Sequence, residues 1–139
     1  MDLLSEAEVR YLRAHRIGRL ATAGRRATPH VVPVSYHFDA EKGVFKIGQH
    51  ALEGRGQERL YLRHLRANPR AALVVDDLDT TAGWVPSGIL IKGDARFHDR
   101  GGEELGPGFG PRWIEIVPDY VSSWGVDTPA LQPATPRQA

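Results

Sequence analysis

Four arginines recur along one segment of the chain, and their side chains could together bind an anion. Arg59, Arg63, Arg66 and Arg70 follow at intervals of three or four residues, and an α-helix places such residues on one face. Arg70 lies beyond Pro69 and belongs to this face only loosely. Like charges destabilise an isolated helix by roughly 0.2–0.5 kcal/mol per pair, whereas guanidinium groups bind phosphate through paired hydrogen bonds. The spacing therefore predicts either a phosphate-binding helix or a solvated basic face.

The apolar residues of the same segment indicate how the helix packs. Tyr61, Leu62 and Leu65 lie opposite the arginines, as in an amphipathic helix that covers a core. We predict the helix from about Gln57 to Ala67, because Asn68 precedes a proline and such residues avoid the helical region.

Single residues elsewhere could contact a bound ring or donate a proton. Gly48 follows a predicted strand ending at Ile47, and it either lets a planar ring approach the backbone or is a turn glycine. His30 and Tyr36, in the preceding strand, are candidate proton donors. Trp84 belongs to a core, an interface or a ring-stacking contact. No acid–base constellation stands out, so the catalytic residues stay unassigned.

The composition limits the class of protein and of site. The chain has 139 residues, no cysteine and a formal net charge of +1, which suits one domain without disulfides or thiolate metal sites. A single arginine face on a nearly neutral chain argues against nucleic-acid binding. The six histidines have no metal-ligand spacing, and no apolar run approaches the ~20 residues of a membrane span. We therefore expect a cytoplasmic protein without a metal.

Hydrophobic periodicity predicts a small antiparallel barrel with helices. A capping box at Ser5 and Glu8 opens a helix that continues to about Arg16. Apolar alternation and short apolar runs predict six strands, with the arginine helix after the third; they cover residues 18–23, 28–38, 44–47, 71–75, 88–98 and 113–117. We expect a mobile glycine-rich loop at 101–110, one domain over 1–126 and a flexible tail over 127–139.

Several short motifs follow one another along the chain. They are YL at 11–12, GRLAT at 18–22, PHVVPV at 29–34, RHL and NPR within 63–70, VVDD at 74–77, and Trp84 with GI at 88–89 and KG at 92–93. In order and spacing this series resembles the pyridoxamine-phosphate-oxidase-like split β-barrels over about residues 9–126. It is most similar to the actinobacterial branch that uses the deazaflavin coenzyme F-420. The ending IVP at 116–118 and VSSWG at 121–125 resembles the subgroup with dehydrotetracycline reductases.

The resemblance implies a fold, an assembly and a set of cofactor contacts. The fold is a mainly β, six-stranded antiparallel split barrel of the FMN-binding type, and the assembly is a homodimer with a cofactor at the subunit interface. The implied cofactor contacts are the ring contacts His30, Val32, Pro33, Val34, Ile47 and Gly48, the phosphate contacts Arg59, Tyr61 and Arg63, and residues near Trp84 and Gly88 reaching in from the second subunit.

This chain departs from its relatives at the implied phosphate site. Relatives usually carry a lysine where this chain has Tyr61, and residues 51–58 form a longer segment than usual. Three functions are compatible with these features. The first is hydride transfer between reduced coenzyme F-420 and a conjugated organic substrate (an enone, quinone or polyketide). The second is an FMN-dependent oxidase or reductase, and the third is a non-enzymatic carrier of a cofactor or ligand.

Overall fold

The computed structural model describes residues 3–50, 58–129 and 132–139, which form a mainly β structure. Its elements in chain order are α1 (Glu6–Ala14), β1 (Ile17–Ala23), β2 (Pro29–Ser35), β3 (His37–Asp39), β4 (Val44–His50), α2 (Leu60–Ala67), β5 (Arg70–Asp79), β6 (Val85–His98), a 3-10 turn (Gly102–Leu105), β7 (Phe109–Trp124) and β8 (Arg137–Gln138). The predicted start of the second helix near Gln57 lies outside the described residues.

One antiparallel sheet runs through the whole structure. Its strand order is β2-β1-β5-β6-β7-β4-β3, with β8 added alongside β7. The two strands at opposite ends of this order, β2 and β3, are consecutive in the chain and separated only by Tyr36. Because one intervening residue spans at most about 7 Å, the two ends of the sheet meet at this corner and the sheet curves round on itself.

The corner at Tyr36 corrects the predicted strand over residues 28–38. The backbone amide of Tyr36 donates to the carbonyl of Arg16 (3.0 Å), and its hydroxyl donates to the carbonyl of Leu12 (2.7 Å). These hydrogen bonds attach position 36 to the end of α1, so the strand before it pairs with β1 and the strand after it pairs with β4. Among the described residues the sheet has eight strands where six were predicted.

The last long strand differs from its prediction in length. The predicted strand 113–117 is the centre of β7, which pairs along its length with β6, β4 and β8. Within the predicted tail over 127–139, Arg137 lies opposite Val121 in β8. The Arg137 guanidinium also forms an ion pair with the buried carboxylate of Glu8 (2.5 Å). The predicted mobile loop at 101–110 contains the 3-10 turn.

The strand predicted at 71–75 is longer in the structure and is buried on one face. Burial alternates along β5, with Ala71, Leu73 and Val75 inside. Asp76 and Asp77, which follow the predicted strand, lie within β5. Paired with antiparallel neighbours on both sides, β5 presents one face to the core and the other outward.

The capping box and the predicted helix faces are confirmed. Ser5 Oγ accepts from the amide of Glu8 (3.2 Å), and the Glu8 carboxylate accepts from the amide of Ser5 (2.9 Å). Leu12 of α1 and Leu62 and Leu65 of α2 are buried. These side chains join the inner residues of the sheet in one hydrophobic core.

Candidate cofactor-binding site

A groove of about 410 Å³ lies between β2, the end of β4 and the start of α2. Its walls are formed by His30, Val32, Pro33, Val34, Ser35, Ile47, Gly48, His50, Arg59, Leu60 and Tyr61. Ligand-binding clefts in proteins commonly measure about 300–1,000 Å³ and combine apolar walls with a few polar groups. This groove has that character, since strand side chains form one wall and the start of a helix forms the other.

The structure brings together eight of the eleven residues that the sequence assigned to a cofactor. His30, Val32, Pro33, Val34, Ile47, Gly48, Arg59 and Tyr61 all line the groove. Arg63 lines an adjoining hollow of about 390 Å³, which shares Leu60 with the groove. Trp84 and Gly88 lie away from both, at the start of β6 and within it. Their predicted contribution from a second subunit stays a prediction.

The four arginines of the predicted basic face have different surroundings. Arg66 pairs with Glu58 (2.7 Å) and stacks on Phe97, with its guanidinium carbon 4.4 Å from the ring centroid. Arg70 pairs with Asp94 (3.1 Å) and Asp119 (2.5 Å).

Arg59 and Arg63 are exposed and have no carboxylate partner among residues 3–50, 58–129 and 132–139. These are the two arginines that the resemblance assigned to phosphate. They are therefore available to an anionic ligand.

The start of α2 adds a further attraction for an anion. Arg59 is the N-cap residue of this helix, its side chain makes no capping hydrogen bond, and the first turn holds no acidic residue. The first amides of a helix carry a partial positive charge and bind anions. Arg25 lines the hollow beside Arg63, so several cationic side chains lie near α2. Among the residues that the structure describes, no acidic one lines the groove.

Tyr61 is directed into the protein. It is 5% exposed, and its hydroxyl donates to Oε1 of Gln49 (2.9 Å). Burial raises the pKa of Tyr61, partly offset by the hydrogen bond with Gln49. The hydroxyl is thus engaged in a structural hydrogen bond, and the ring rather than the hydroxyl contributes to the wall of the groove.

The two glycines assigned to the cofactor each accommodate an aromatic side chain of β7. A β-carbon at Gly48 would lie 2.7 Å from Cδ1 of Phe109, and one at Gly88 would lie 2.2 Å from Cζ2 of Trp124. Carbon atoms in contact normally stay about 3.5–4.0 Å apart, so neither position has room for a side chain. The ring that the structure places against Gly48 is the chain's own Phe109, and a contact between Gly48 and a bound ring stays a prediction.

Several residues of this region escaped the sequence analysis. Ser35 and His50 line the groove, but the predicted β4 ended at Ile47 and so excluded His50. The Thr22 hydroxyl lies 3.0 Å from Nδ1 of His64, whose ring stands edge-on to His30 at 5.6 Å between centroids. Thr22 belongs to the GRLAT motif, which was the available signal for this contact.

The two candidate proton donors differ in availability. The Tyr36 hydroxyl is buried and donates to the carbonyl of Leu12. Burial strongly raises the pKa of Tyr36, which makes it a poor acid. His30 is half-buried and lines the groove. Of the two, only His30 presents an ionisable group to a ligand there.

The groove fits a flavin-type cofactor by its donor chemistry. The side chains of β2 and β4 provide an apolar wall for a planar ring system, while Arg59 and the uncapped helix start provide the charge for a phosphate. Among the described residues, no three His, Asp or Glu side chains are grouped so as to hold a metal ion.

Known proteins share both the sequence and the fold of this chain. The family model for pyridoxamine 5′-phosphate oxidase matches residues 4–134. The chain belongs to this family. It is 36% identical over 123 residues to the 5a,11a-dehydrotetracycline/5a,11a-dehydrooxytetracycline reductase of Streptomyces rimosus. The alignment covers 88% of this chain and 84% of the reductase. The predicted family is therefore confirmed.

Solved structures agree on the fold of the family. A conserved hypothetical protein of Mycobacterium tuberculosis superposes with a TM-score of 0.66 at 19% identity, covering 95% of this chain and 93% of the other. An FAD-binding protein of Mesorhizobium loti superposes with a TM-score of 0.63 at 23% identity, covering 86% and 92%. At these identities the likeness concerns the fold alone, and it supports the predicted split barrel.

No helix within residues 3–50, 58–129 and 132–139 is both long enough and apolar enough to cross a bilayer.

Proposed function

We propose that the chain is a reductase that uses coenzyme F-420 and transfers hydride to a conjugated organic substrate. Membership of the family and the named reductase at 36% identity bear out the coarser prediction of an oxidoreductase. The similarity of the motifs to the branch that uses the deazaflavin supports coenzyme F-420 as the cofactor. The observation that carries the proposal is the pair Arg59 and Arg63, free of carboxylates among the described residues, beside an apolar groove.

The residues of the groove would divide the work of binding. Val32 and Val34 cover one face of a ring system, and Arg59 and Arg63 hold the phosphate through charge-assisted hydrogen bonds. The bound deazaflavin would supply the hydride, as cofactors supply the chemistry that side chains lack. His30 is the one candidate proton donor whose side chain faces the groove.

Cofactor titration of the purified protein tests this proposal. Coenzyme F-420 and FMN are titrated separately and followed by absorbance and fluorescence, with thermal shift as a second measurement. We expect binding of coenzyme F-420 at micromolar concentration or below. Tight binding of FMN with none of the deazaflavin would favour the FMN-dependent alternative. Binding without turnover of any enone, quinone or polyketide would favour a carrier.

Substitution of the free arginines locates the phosphate. A charge-assisted hydrogen bond contributes about 1.5–3 kcal/mol, so Arg59→Gln and Arg63→Gln should each weaken cofactor binding about 10- to 100-fold. Arg96→Gln is the control, because Arg96 is exposed on β6 and lines neither the groove nor the hollow. Unchanged binding in both test variants would place the phosphate elsewhere.

We also propose that the chain forms a homodimer through the outer face of β2, β1, β5 and β6. By their pairing and alternation, Val31, Ile17, Val74, Leu78 and Leu90 share this face. Val31 is 64% exposed, and Ile17 and Leu78 are exposed as well. This face also holds the ion pair of Arg19 and Asp76 (3.0 Å), and exposed apolar residues around a paired charge are typical of a protein–protein interface. The exposed Trp84 directly precedes β6.

A further inference from the structure

A second cavity, of about 690 Å³, lies beside the groove. It is bounded by the end of α1, the corner between β2 and β3, β4, and the segment that joins the 3-10 turn to β7. We call it the α1 cavity. The resemblance assigned none of its residues except Gly48, and the groove described above does not account for it.

The α1 cavity and the groove are direct neighbours. Ser35 and Gly48 line both spaces. Phe109 lines the α1 cavity, packs against Gly48 and stacks on His50 of the groove at 4.4 Å between ring centroids. A molecule in the α1 cavity would therefore lie against a ligand in the groove, with only Phe109 and the backbone near Gly48 at the boundary.

Apolar side chains form part of the wall of the α1 cavity, and polar and charged side chains form the rest. The apolar part consists of Leu105, Phe109 and the outermost atoms of the buried residues Leu12, Tyr36 and Phe38. The Tyr36 hydroxyl is turned away to the carbonyl of Leu12. Aromatic rings stack favourably on such surfaces and contribute about 0.5–1.5 kcal/mol beyond the area that they bury.

The ionisable groups around the cavity differ between its two sides. On the side of β3 and β4, Lys46 pairs with Asp39 (3.3 Å), and Glu41 lies nearby. The hydrogen bond from the Lys42 backbone amide, together with the pairing with Lys46, holds the pKa of Asp39 below its usual value against the opposing effect of desolvation. The Lys46 charge is therefore largely neutralised.

On the side of α1, two cations stay available. His15 contacts Asp77 (3.4 Å), and the remaining histidine, His37, is exposed. Arg13 and Arg16 are exposed and have no carboxylate partner in the part of the chain that the structure describes. Their guanidinium groups could bind a carboxylate or an ionised enol through paired hydrogen bonds.

From this arrangement we infer that the α1 cavity binds the organic substrate, and that the substrate is a planar conjugated molecule with an anionic group held by Arg13 and Arg16. The inference rests on the proposed function, because it places the substrate next to the cofactor groove. It adds the substrate class and two specificity-determining residues. These arginines bind and orient the substrate, and they have no part in the proton or hydride transfer.

Direct binding of two matched probes tests the substrate subsite. Anthraquinone-2-carboxylate is planar, conjugated and anionic, and anthraquinone-2-carboxamide has the same ring system without the charge. Both are titrated into the full chain by calorimetry, with and without the cofactor that the protein binds. We expect the carboxylate to bind at least 10-fold more tightly than the amide, and the difference to disappear in the double variant Arg13→Gln with Arg16→Gln.

Arg10→Gln is the control, because Arg10 is exposed on the same helix and does not line the cavity. It should retain both affinities within about twofold, since it removes the same charge at a distance from the ligand. Thermal unfolding verifies that each variant is folded. Failure of the carboxylate to bind under both conditions, or equal binding by the double variant and the native chain, would overturn the inference.

Cofactor titration of the same variants separates the two proposals. The double variant should bind the cofactor as the native chain does, whereas Arg59→Gln should lose cofactor affinity and keep that for the carboxylate probe. A protein that binds no cofactor but distinguishes the probes through Arg13 and Arg16 would refute the proposed function and retain the anion-binding cavity. Normal cofactor binding with no discrimination between the probes would refute the substrate subsite alone.

Discussion

The ring of Phe109 packs directly on the backbone of Gly48, so that a β-carbon at position 48 would lie 2.7 Å from Cδ1 of the ring. The two residues come from different strands, β7 and β4, and they stand at the boundary between the groove and the α1 cavity. His50 also stacks on this ring, at 4.4 Å between ring centroids. The separation between the groove and the α1 cavity therefore depends on contacts within the chain. The ring of Phe109 can lie this close to β4 because Gly48 has no side chain.

Gly48→Ala should destabilise the protein by displacing Phe109. The backbone of Gly48 has no positive φ, so alanine itself is tolerated and the cost arises from overpacking, about 1–3 kcal/mol in such cases. Urea unfolding measures the change. In the double variant Gly48→Ala with Phe109→Ala, the loss in free energy of unfolding should be smaller than the sum of the two single losses, because the alanine at position 48 no longer meets an aromatic ring. A neutral Gly48→Ala would show that the ring can move aside freely.

The sequence predicted those features of the site that depend on local patterns, and it missed those that depend on contacts between distant segments. The alternation of β2 and the spacing of Arg59 and Arg63 are local patterns, and they correctly predicted a strand and a helix. Only the resemblance implied that the two lie at one site. The contact between Gly48 and Phe109 joins segments far apart in the chain, so no local pattern could identify the ring. The same holds for Tyr36, whose hydrogen bonds to α1 divide a strand that reads as continuous in the sequence.

Tyr61 shows a second limit of reasoning from residue type. The resemblance implied that Tyr61 contacts a phosphate. In the structure, the side chain of Tyr61 is instead oriented by its hydrogen bond to Gln49 at the end of β4. Because helix faces are set by packing as well as by spacing, the buried side of α2 took Tyr61 together with Leu62 and Leu65. The arginines remain on the side open to a ligand, together with the exposed Leu60.

Tyr61→Phe should therefore reduce stability and leave cofactor affinity unchanged. The substitution leaves Oε1 of Gln49 without its donor, and an unsatisfied buried polar group costs about 1–3 kcal/mol. Unfolding by urea and cofactor titration are compared on one preparation. Arg63→Gln is the reciprocal control, with weaker cofactor binding and little change in stability, because Arg63 is exposed. Loss of affinity in Tyr61→Phe at unchanged stability would instead assign the hydroxyl to the phosphate.

Val31→Glu should separate the proposed dimer. A carboxylate at this highly exposed position of the outer sheet face would be desolvated in the interface, which is costly without a partner. Sedimentation should give twice the mass of one chain for the native protein and the mass of one chain for the variant. Lys42→Glu, at the exposed turn before β4, changes the charge away from this face and should keep the native mass. A native protein with the mass of a single chain would refute the dimer.

Because Glu8 forms an ion pair with Arg137, the free energy of unfolding should decrease as the pH falls. The substitution Arg137→Gln should reverse this contribution of Glu8. The Glu8 side chain is fully buried, whereas that of Arg137 is 33% exposed. Burial acts to raise the pKa of Glu8, but hydrogen bonds from Arg137 and the Ser5 amide outweigh it and hold the pKa below the ordinary value of 4.5. The ionised carboxylate thus stabilises the fold above about pH 4.5, and this contribution is lost as the pH falls through the lowered pKa.

Arg137→Gln should invert that dependence, because burial without the guanidinium raises the pKa of Glu8 above its value in the unfolded chain. An unpaired buried charge costs about 3–5 kcal/mol, so the gap in free energy of unfolding between the native chain and this variant should be largest near pH 7. It should begin to narrow above pH 4.5, as the pH falls through the raised pKa of Glu8 in the variant, and should continue to narrow down to the lowered pKa of the native chain. Urea unfolding from about pH 7 to pH 3.5 measures the gap. Arg112→Gln is the control, because it removes an exposed arginine of β7, and its gap should be small and constant with pH. A constant gap for Arg137→Gln as well would mean that the pKa of Glu8 does not differ between the two proteins, and would contradict the prediction.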